Sequence, residues 1–83
     1  MPEILKVYGR IDCHLCEHMV EHLGILKSTY EFDLEVIDIS GQHELEKLYG
    51  SKIPVLMLGD QEISHFTLDV NRFRNLMKEQ HNK

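Results

Sequence analysis

The chain has 83 residues, 42% of them hydrophobic, which suffices for one small domain over residues 1–83 with its own core but not for two. Its 9 basic and 14 acidic residues give a net charge of −5, which argues against nucleic acid as a partner because phosphates require a basic face. No segment approaches the ~20 apolar residues of a membrane span, and the N-terminal apolar run is shorter than the ~7–15 residues typical of a signal peptide. We therefore expect a cytoplasmic protein that binds neither nucleic acid nor a membrane.

Hydrophobic periodicity predicts seven secondary-structure elements, in the order β-α-β-α-β-β-α. In chain order, the predicted elements are a strand at 4–8, a helix from 13 or 14 to about 28, a strand at 33–39, a helix at about 41–49, strands at 54–58 and 61–66, and a last helix after residue 67. Ser40 and Thr67 are predicted to cap the second and third helices, and Gly50 to end the second. Gly59 and Asp60 are the two-residue signal of a hairpin between the last two strands.

These elements predict an α/β fold, with a four-stranded mixed sheet flanked by three helices. The first two strands and the helix between them form a βαβ unit, whose crossover makes the strands parallel. The hairpin adds an antiparallel pair, and the first strand is predicted to be central because it must pair on both sides. Its C-terminal end leads into Cys13, and sites in open α/β sheets lie at such strand ends. Leu15 of the first helix and Val36 of the second strand are expected on buried faces.

The only two cysteines, Cys13 and Cys16, stand three positions apart in the stretch "VYGRIDCHLCEHMVEHL" (residues 7–23), where a strand gives way to a helix. At a helix start, unpaired N–H groups and the helix dipole favour a thiolate, so Cys13 is predicted to be the attacking thiol. Cys16 lies one turn further along on the inner face, close enough to form a disulfide with Cys13 and so release a bound substrate. A C-x-x-C pair beside a βαβ pattern is a redox signature.

Two other interpretations of the cysteines compete with a redox pair. Purely structural thiols would require Cys13 to be buried at a loop-to-helix junction. A four-thiolate zinc site would need a second cysteine pair, which the chain lacks, and His18 lies roughly 200° around the helix from Cys16. We therefore predict no metal ligand within the chain. A metal or iron–sulfur carrier module on the same fold, sharing a cluster between two chains, stays the alternative function.

Three histidines, His14, His18 and His22, line up on the polar face of the first helix and are interpreted as solvated surface residues. His14 differs from the others because it lies between the two cysteines. If protonated, His14 would help to stabilise the Cys13 thiolate, whereas the neighbouring acidic side chains would act against it.

The segments "YGRIDCHLC", "DLEVIDI" and "KIPVLML", in this order and spacing, resemble the glutaredoxin-like branch of the thioredoxin superfamily. The closest resemblance is to its short bacterial members with a C-H-L-C pair and an I-P-V strand, and it covers nearly the whole chain. A C-x-x-C pair about forty residues before a proline that opens a hairpin makes the resemblance specific. It implies a thioredoxin fold in which Pro54 is cis and lies beside the cysteines, and in which the backbone of Ile53 pairs with an extended substrate.

The resemblance also implies a thiol–disulfide oxidoreductase with a redox-active Cys13–Cys16 disulfide and no bound cofactor. Its substrate would be a protein or low-molecular-weight disulfide, its reductant glutathione or a thioredoxin-reductase-type donor, and we expect it to act as a monomer. Arg10 and Lys52 match basic residues that contact glutathione in the family. The family's Pro-Tyr inside the motif is replaced by "HL", however, and its Gly-Gly and Asp pattern after the last strand by "SHFTLD", where only Asp69 matches. We therefore expect glutathione to bind weakly.

Overall fold

The computed structural model describes residues 3–81, and its elements follow the predicted order β-α-β-α-β-β-α. The strands are β1 (Glu3–Gly9), β2 (Phe32–Asp38), β3 (Val55–Leu58) and β4 (Gln61–His65), and the helices are α1 (His14–Leu26), α2 (His43–Tyr49) and α3 (Val70–His81). The predicted thioredoxin-like α/β fold, a four-stranded mixed sheet with three helices, is thereby confirmed. No helix within the described residues is long and apolar enough to cross a membrane.

The strand order across the sheet is β2-β1-β3-β4. β1 pairs in parallel with β2 and antiparallel with β3, which confirms its predicted central position. Tyr8 of β1 lies opposite Val55 of β3, so the end of one strand meets the beginning of the other. Both sequence motifs lie at this end of the sheet, because Gly9 leads towards Cys13 and Pro54 directly precedes Val55.

The main core lies between one face of the sheet and the helices α1 and α3. Leu5 and Val7 of β1 are fully buried there, as the period of two along a strand requires. Further buried members of this core are Met19 and Leu23 from α1 and Phe73, Leu76 and Met77 from α3. On the other face of β1, Tyr8 stacks on Tyr49 of α2, with ring centroids 4.5 Å apart. This contact places α2 near the strand end that leads to the cysteines.

The predicted cap of the second helix is wrong. α2 begins at His43, and its N-cap residue is Gln42 rather than Ser40. The backbone N–H of Ser40 donates instead to Asp38 Oδ1 at 2.9 Å, and Gly41 then takes a φ of +76°. The carboxylate of Asp38 thus closes a turn between β2 and α2, and this turn delays the start of the helix.

The third helix and the end of the second also differ from expectation. Asp69, rather than Thr67, caps α3, because its carboxylate oxygen Oδ1 accepts from the Arg72 backbone N–H at 3.1 Å. Gly50 does end α2, but with a φ of −55° that any residue can adopt. Glycine fits there for another reason, since a Cβ would lie 2.5 Å from the Glu46 carbonyl oxygen.

Two side chains that were expected to be buried are exposed. Val36 is 60% exposed, although it lies opposite the buried Val7, because a groove stays open between it and α1 at the edge of the sheet. Leu15 is 43% exposed because it lies in the first turn of α1, at the end of the sheet. Both residues therefore leave apolar surface open close to the cysteine pair.

Candidate functional site

Cys13 caps the N-terminus of α1 with its sulfur. Its backbone is extended, with φ of −110° and ψ of 112°, and its Sγ accepts a hydrogen bond from the Cys16 backbone N–H at 3.2 Å. The Cys13 carbonyl accepts the first helical hydrogen bond, from Glu17 N–H at 3.1 Å. The sulfur thus occupies the position of an ordinary capping oxygen, where free N–H groups and the helix dipole attract negative charge. The side chain is partly exposed, so an external disulfide can reach it.

Cys16 has the opposite environment. It is 6% exposed and faces inwards from the first turn of α1. Burial is the largest of the influences that raise the pKa of the Cys16 thiol to about 11, and the hydrogen bond with the Cys13 side chain and the charge of Cys13 also contribute to this value. A hydrogen bond from the Arg10 backbone acts in the other direction. The pair therefore combines one accessible sulfur at a helix end with one shielded, protonated thiol.

Gly9 is the residue on which Cys16 packs. A Cβ at position 9 would lie 2.7 Å from Cys16 Sγ and 3.1 Å from Cys16 Cβ, so only glycine allows this approach. The predicted first strand ended before Gly9, and no contact with the cysteines was predicted for this glycine. A glycine inside a buried strand often marks the close approach of another group, and this signal could have identified it.

We expect Cys13 to be alkylated far faster than Cys16 at neutral pH. With a pKa of about 11, Cys16 is a thiolate in roughly one molecule in ten thousand at pH 7. Iodoacetamide labelling followed by mass spectrometry, between pH 6 and about 10, should show early modification of Cys13. In a Cys13→Ser variant, labelling of Cys16 should stay slow at pH 7 and accelerate as the pH rises, because burial still raises the pKa of its thiol although the charge of Cys13 is gone. Faster labelling of Cys16 than of Cys13 at pH 7 would reverse the assignment of the two sulfurs.

The two basic residues predicted to bind substrate are already paired within the chain. Arg10 Nη2 lies 2.7 Å from Glu46 Oε1 of α2, and Lys52 Nζ lies 2.6 Å from Glu62 Oε1 of β4. The hydrogen bond from Lys52, joined by one with His65, holds the pKa of Glu62 below its usual value. Neither acidic partner was identified from the sequence, because each pair joins residues that only the folded chain brings together.

His14 lies at the start of α1 with its side chain 92% exposed. Its Nδ1 is 3.9 Å from Glu17 Oε2, and its ring centroid is 6.3 Å from that of His18. A charge on so exposed a ring would act on Cys13 mostly through water, where electrostatic interactions are weak. The predicted influence of His14 on the Cys13 thiolate stays a prediction.

The Ile53–Pro54 peptide bond is cis, and Pro54 is buried at the start of β3. The Pro54 carbonyl accepts a hydrogen bond from Phe66 N–H at 2.9 Å, which joins this turn to the segment after β4. Phe66 has a φ of 65°, a conformation that glycine adopts more readily. Phe66 therefore takes a glycine-like conformation in residues 65–69, a segment without glycine, and the one acidic residue of this segment, Asp69, caps α3.

Comparisons with known proteins agree with this geometry. Residues 4–78 match the family described as Glutaredoxin-like domain (DUF836). The chain is similar to a protein of Nitrosomonas europaea solved by NMR, with 40% identity, 93% of both chains covered and a TM-score of 0.85. It is also similar to an X-ray structure from X. campestris, with 30% identity, 90% of this chain and 96% of that chain covered, and a TM-score of 0.71. An uncharacterized protein of Mycobacterium tuberculosis is 31% identical over 75 residues, covering 84% of this chain and 77% of its own length. The chain therefore belongs to the glutaredoxin-like domain family (DUF836) of the thioredoxin superfamily.

Proposed function

We propose that the protein is a thiol–disulfide oxidoreductase in which Cys13 attacks the substrate and Cys16 resolves the product. The observation that carries this proposal is the asymmetry of the pair. Cys13 Sγ is partly exposed and accepts a hydrogen bond from the Cys16 N–H at 3.2 Å, whereas Cys16 is buried and its thiol has a pKa raised to about 11. A two-step exchange needs one sulfur that attacks the substrate first and a second sulfur that attacks only the resulting mixed disulfide.

In the first step, the Cys13 thiolate attacks one sulfur of the substrate disulfide. A bond forms between Cys13 and that sulfur, the substrate S–S bond breaks, and the second substrate sulfur leaves as a thiolate that takes a proton from water. In the second step, Cys16 loses its proton and attacks Cys13 Sγ, and the first substrate sulfur is released as a thiol. The cysteine pair has then lost two electrons and the substrate has gained two, so a dithiol or a reductase must return the pair to its reduced form.

The structure supports the order of these steps. The charge of Cys13 and its hydrogen bond both raise the pKa of Cys16 in the reduced protein. Once Cys13 forms a mixed disulfide it carries no charge, so one of the influences that keep Cys16 protonated is removed. Cys16 is thereby easier to deprotonate after the substrate has bound than before it.

The substrate is proposed to lie across the turn formed by Ile53 and Pro54. This turn is at the same end of the sheet as Cys13, since β1 and β3 pair through Tyr8 and Val55. The backbone of Ile53 would pair with one residue of an extended substrate, as the family resemblance implies.

A redox titration tests the proposed function. The protein is equilibrated in buffers with different ratios of reduced to oxidised glutathione, the thiols are then alkylated, and the products are weighed by mass spectrometry. We expect Cys13 and Cys16 to become protected together in one two-electron transition. Independent oxidation of the two sulfurs, or no protection of Cys13, would contradict the proposal. A visible absorption band in anaerobically purified protein would instead support the metal or iron–sulfur alternative.

We expect weak activity with glutathione and better activity with a protein disulfide. Arg10 and Lys52 are held by Glu46 and Glu62, and Asp69 caps α3, so the basic and acidic groups that could bind glutathione already have partners. Exposed ion pairs contribute only about 0–1 kcal/mol each, so freeing both cations with Glu46→Gln and Glu62→Gln should raise kcat/KM for glutathione by roughly fivefold per site at most.

The measurement compares glutathione-coupled reduction of hydroxyethyl disulfide with reduction of insulin by a dithiol donor. Glu44→Gln, which removes the same charge from an exposed position on α2, is the matched control and should leave both rates unchanged. Glutathione turnover that exceeds insulin reduction in the unmodified protein would contradict this expectation.

A further inference from the structure

A shallow groove of about 330 Å³ lies beside Cys16, on the side of α1 that faces the edge strand β2. We call it the Cys16 groove, and its lining residues are Arg10, Ile11, Cys16, Glu17, Val20, Glu21 and Val36. It is next to the proposed reaction centre, because the Cys16 N–H that donates to Cys13 Sγ belongs to one of its lining residues.

The apolar residues of the Cys16 groove are unusually open for such a small protein. Ile11 is 80% exposed and Val36 is 60% exposed, and Val20 is partly buried between them. Single exposed aliphatic residues are common on protein surfaces, but these residues line one depression together with a redox cysteine. Covering them with an aliphatic side chain would remove apolar surface from water, which is favourable at about 25 cal/mol per Å².

The rim of the groove is acidic. Glu17 and Glu21 lie one turn apart on α1, both exposed, and both line the groove. The only basic lining residue is Arg10, whose guanidinium lies 2.7 Å from Glu46 and is therefore largely neutralised. A partner that fills the groove should accordingly carry positive charge beside its aliphatic side chain.

The backbone geometry favours an extended partner. Within residues 3–81, β2 is a terminal strand of the sheet and pairs only with β1, so its outer edge is open to a further strand. Val36 lies on this edge strand and lines the groove, whereas the side chain of Glu35 next to it points to the opposite face of the sheet. An extended segment along β2 could place one aliphatic side chain in the groove and basic side chains two positions away near Glu17 and Glu21, because alternate residues of a strand share a face.

We propose that the Cys16 groove binds an extended segment of a substrate protein in which an aliphatic residue is flanked by lysine or arginine, next to the disulfide that Cys13 attacks. This proposal rests on the proposed oxidoreductase function and names its substrate class. The groove lies on the β2 side of α1, whereas the Ile53–Pro54 turn lies on the β3 side. The two surfaces together would hold the substrate on both sides of the cysteine pair.

The test uses short synthetic peptides, each with one cysteine in a mixed disulfide with the coloured thiol 5-thio-2-nitrobenzoate, and dithiothreitol as electron donor. One peptide is basic and carries leucine, the second replaces its lysines with glutamate, and the third replaces the leucine with glycine. We expect kcat/KM to be highest for the first peptide and to fall as salt is added, because the Debye length shortens to about 10 Å at 0.1 M. Hydroxyethyl disulfide, which has neither feature, should show no such salt dependence.

Variants assign the effect to the groove. Glu17→Gln with Glu21→Gln should lower kcat/KM for the basic peptide by roughly five- to twentyfold, while Glu44→Gln with Glu79→Gln changes net charge equally and should not. Val36→Ser should reduce the preference for leucine over glycine.

Three results of the rate comparisons would overturn the proposal. They are equal rates for the basic and acidic peptides, an equal effect of the two double variants, or an equal loss for every substrate in Glu17→Gln with Glu21→Gln. Turnover of hydroxyethyl disulfide in these cases would show that the oxidoreductase function itself still stands. Absence of any turnover would instead overturn that function, and with it the role of the groove as a substrate site.

Fluorescence anisotropy measures peptide binding without disulfide exchange. It uses a labelled basic peptide in which serine replaces the cysteine, and absence of binding would also overturn the proposal.

Discussion

Replacement of Cys13 by serine should abolish disulfide exchange, whereas replacement of Cys16 by serine should preserve the first step and trap substrates as mixed disulfides. Cys13 is the accessible sulfur at the start of α1, and Cys16 is buried one turn further on. Without Cys16, the mixed disulfide can be released only by an external thiol. Intramolecular attack is favoured by effective molarities that reach about 10⁵–10⁸ M in well-oriented systems, so its loss should lengthen the lifetime of the mixed disulfide by several orders of magnitude.

Mass spectrometry after a short incubation with oxidised insulin measures this difference directly. The Cys16→Ser protein should gain the mass of one insulin molecule on Cys13, because the second interchain disulfide still joins the two insulin chains, and the Cys13→Ser protein should gain nothing. The double variant Cys13→Ser with Cys16→Ser controls for non-covalent association with insulin, since it has no thiol that could form a mixed disulfide. Circular dichroism confirms that each variant is folded. Trapping through Cys16 in the Cys13→Ser protein would mean that the roles are exchanged.

The fold could be predicted because local patterns and topology rules agreed with each other. Alternating strand and helix signals gave all seven elements in order, and the βαβ rule then required β1 to be central. The same agreement predicted a helix start at Cys13 and an inward-facing Cys16, since both follow from helix periodicity.

Features that depend on competition between neighbouring groups could not be predicted in the same way. Ser40 and Thr67 are good caps in isolation, but the Asp38 carboxylate accepts from the Ser40 N–H and closes a turn there, and the Asp69 carboxylate accepts from the Arg72 N–H and caps α3. Val36 fits a strand pattern, yet its exposure depends on which strand lies at the edge of the sheet. Propensity sets the type of an element, and tertiary contacts decide its ends and its exposed faces.

The electrostatics of the site depend on ion pairs between residues that are far apart in the sequence. Arg10 pairs with Glu46 of α2, and Lys52 pairs with Glu62 across the β3–β4 hairpin. A family motif can place a basic residue near a substrate, but it cannot show whether that basic residue already forms an ion pair with an acidic side chain of the same protein. These pairs leave an acidic surface around the cysteines, which is the basis for the substrate preference proposed above.

Gly9→Ala should slow the resolution step by roughly a hundredfold, although it adds only one methyl group. The new Cβ would lie 2.7 Å from Cys16 Sγ, whereas ordinary van der Waals contacts begin at 3.4 Å. Cys16 has a short side chain that is fixed by α1, so the sulfur must move by up to about an ångström or the helix must shift with it. A displacement of about 1 Å at a reacting atom can cost roughly a hundredfold in rate, and overpacking of this kind costs about 1–3 kcal/mol of stability.

Stopped-flow measurement of the substrate thiol that is released when Cys16 attacks the mixed disulfide tests this prediction, because it separates resolution by Cys16 from attack by Cys13. Gly9→Ala should accumulate the mixed disulfide and unfold at a lower urea concentration. Gly24→Ala is the matched control, since its Cβ meets nothing within 4 Å on the exposed side of α1. It should raise stability by about 0.5–1 kcal/mol and leave both exchange rates unchanged. If Gly9→Ala resolves its mixed disulfide as fast as the unmodified protein, the contact between Gly9 and Cys16 does not position the resolving sulfur.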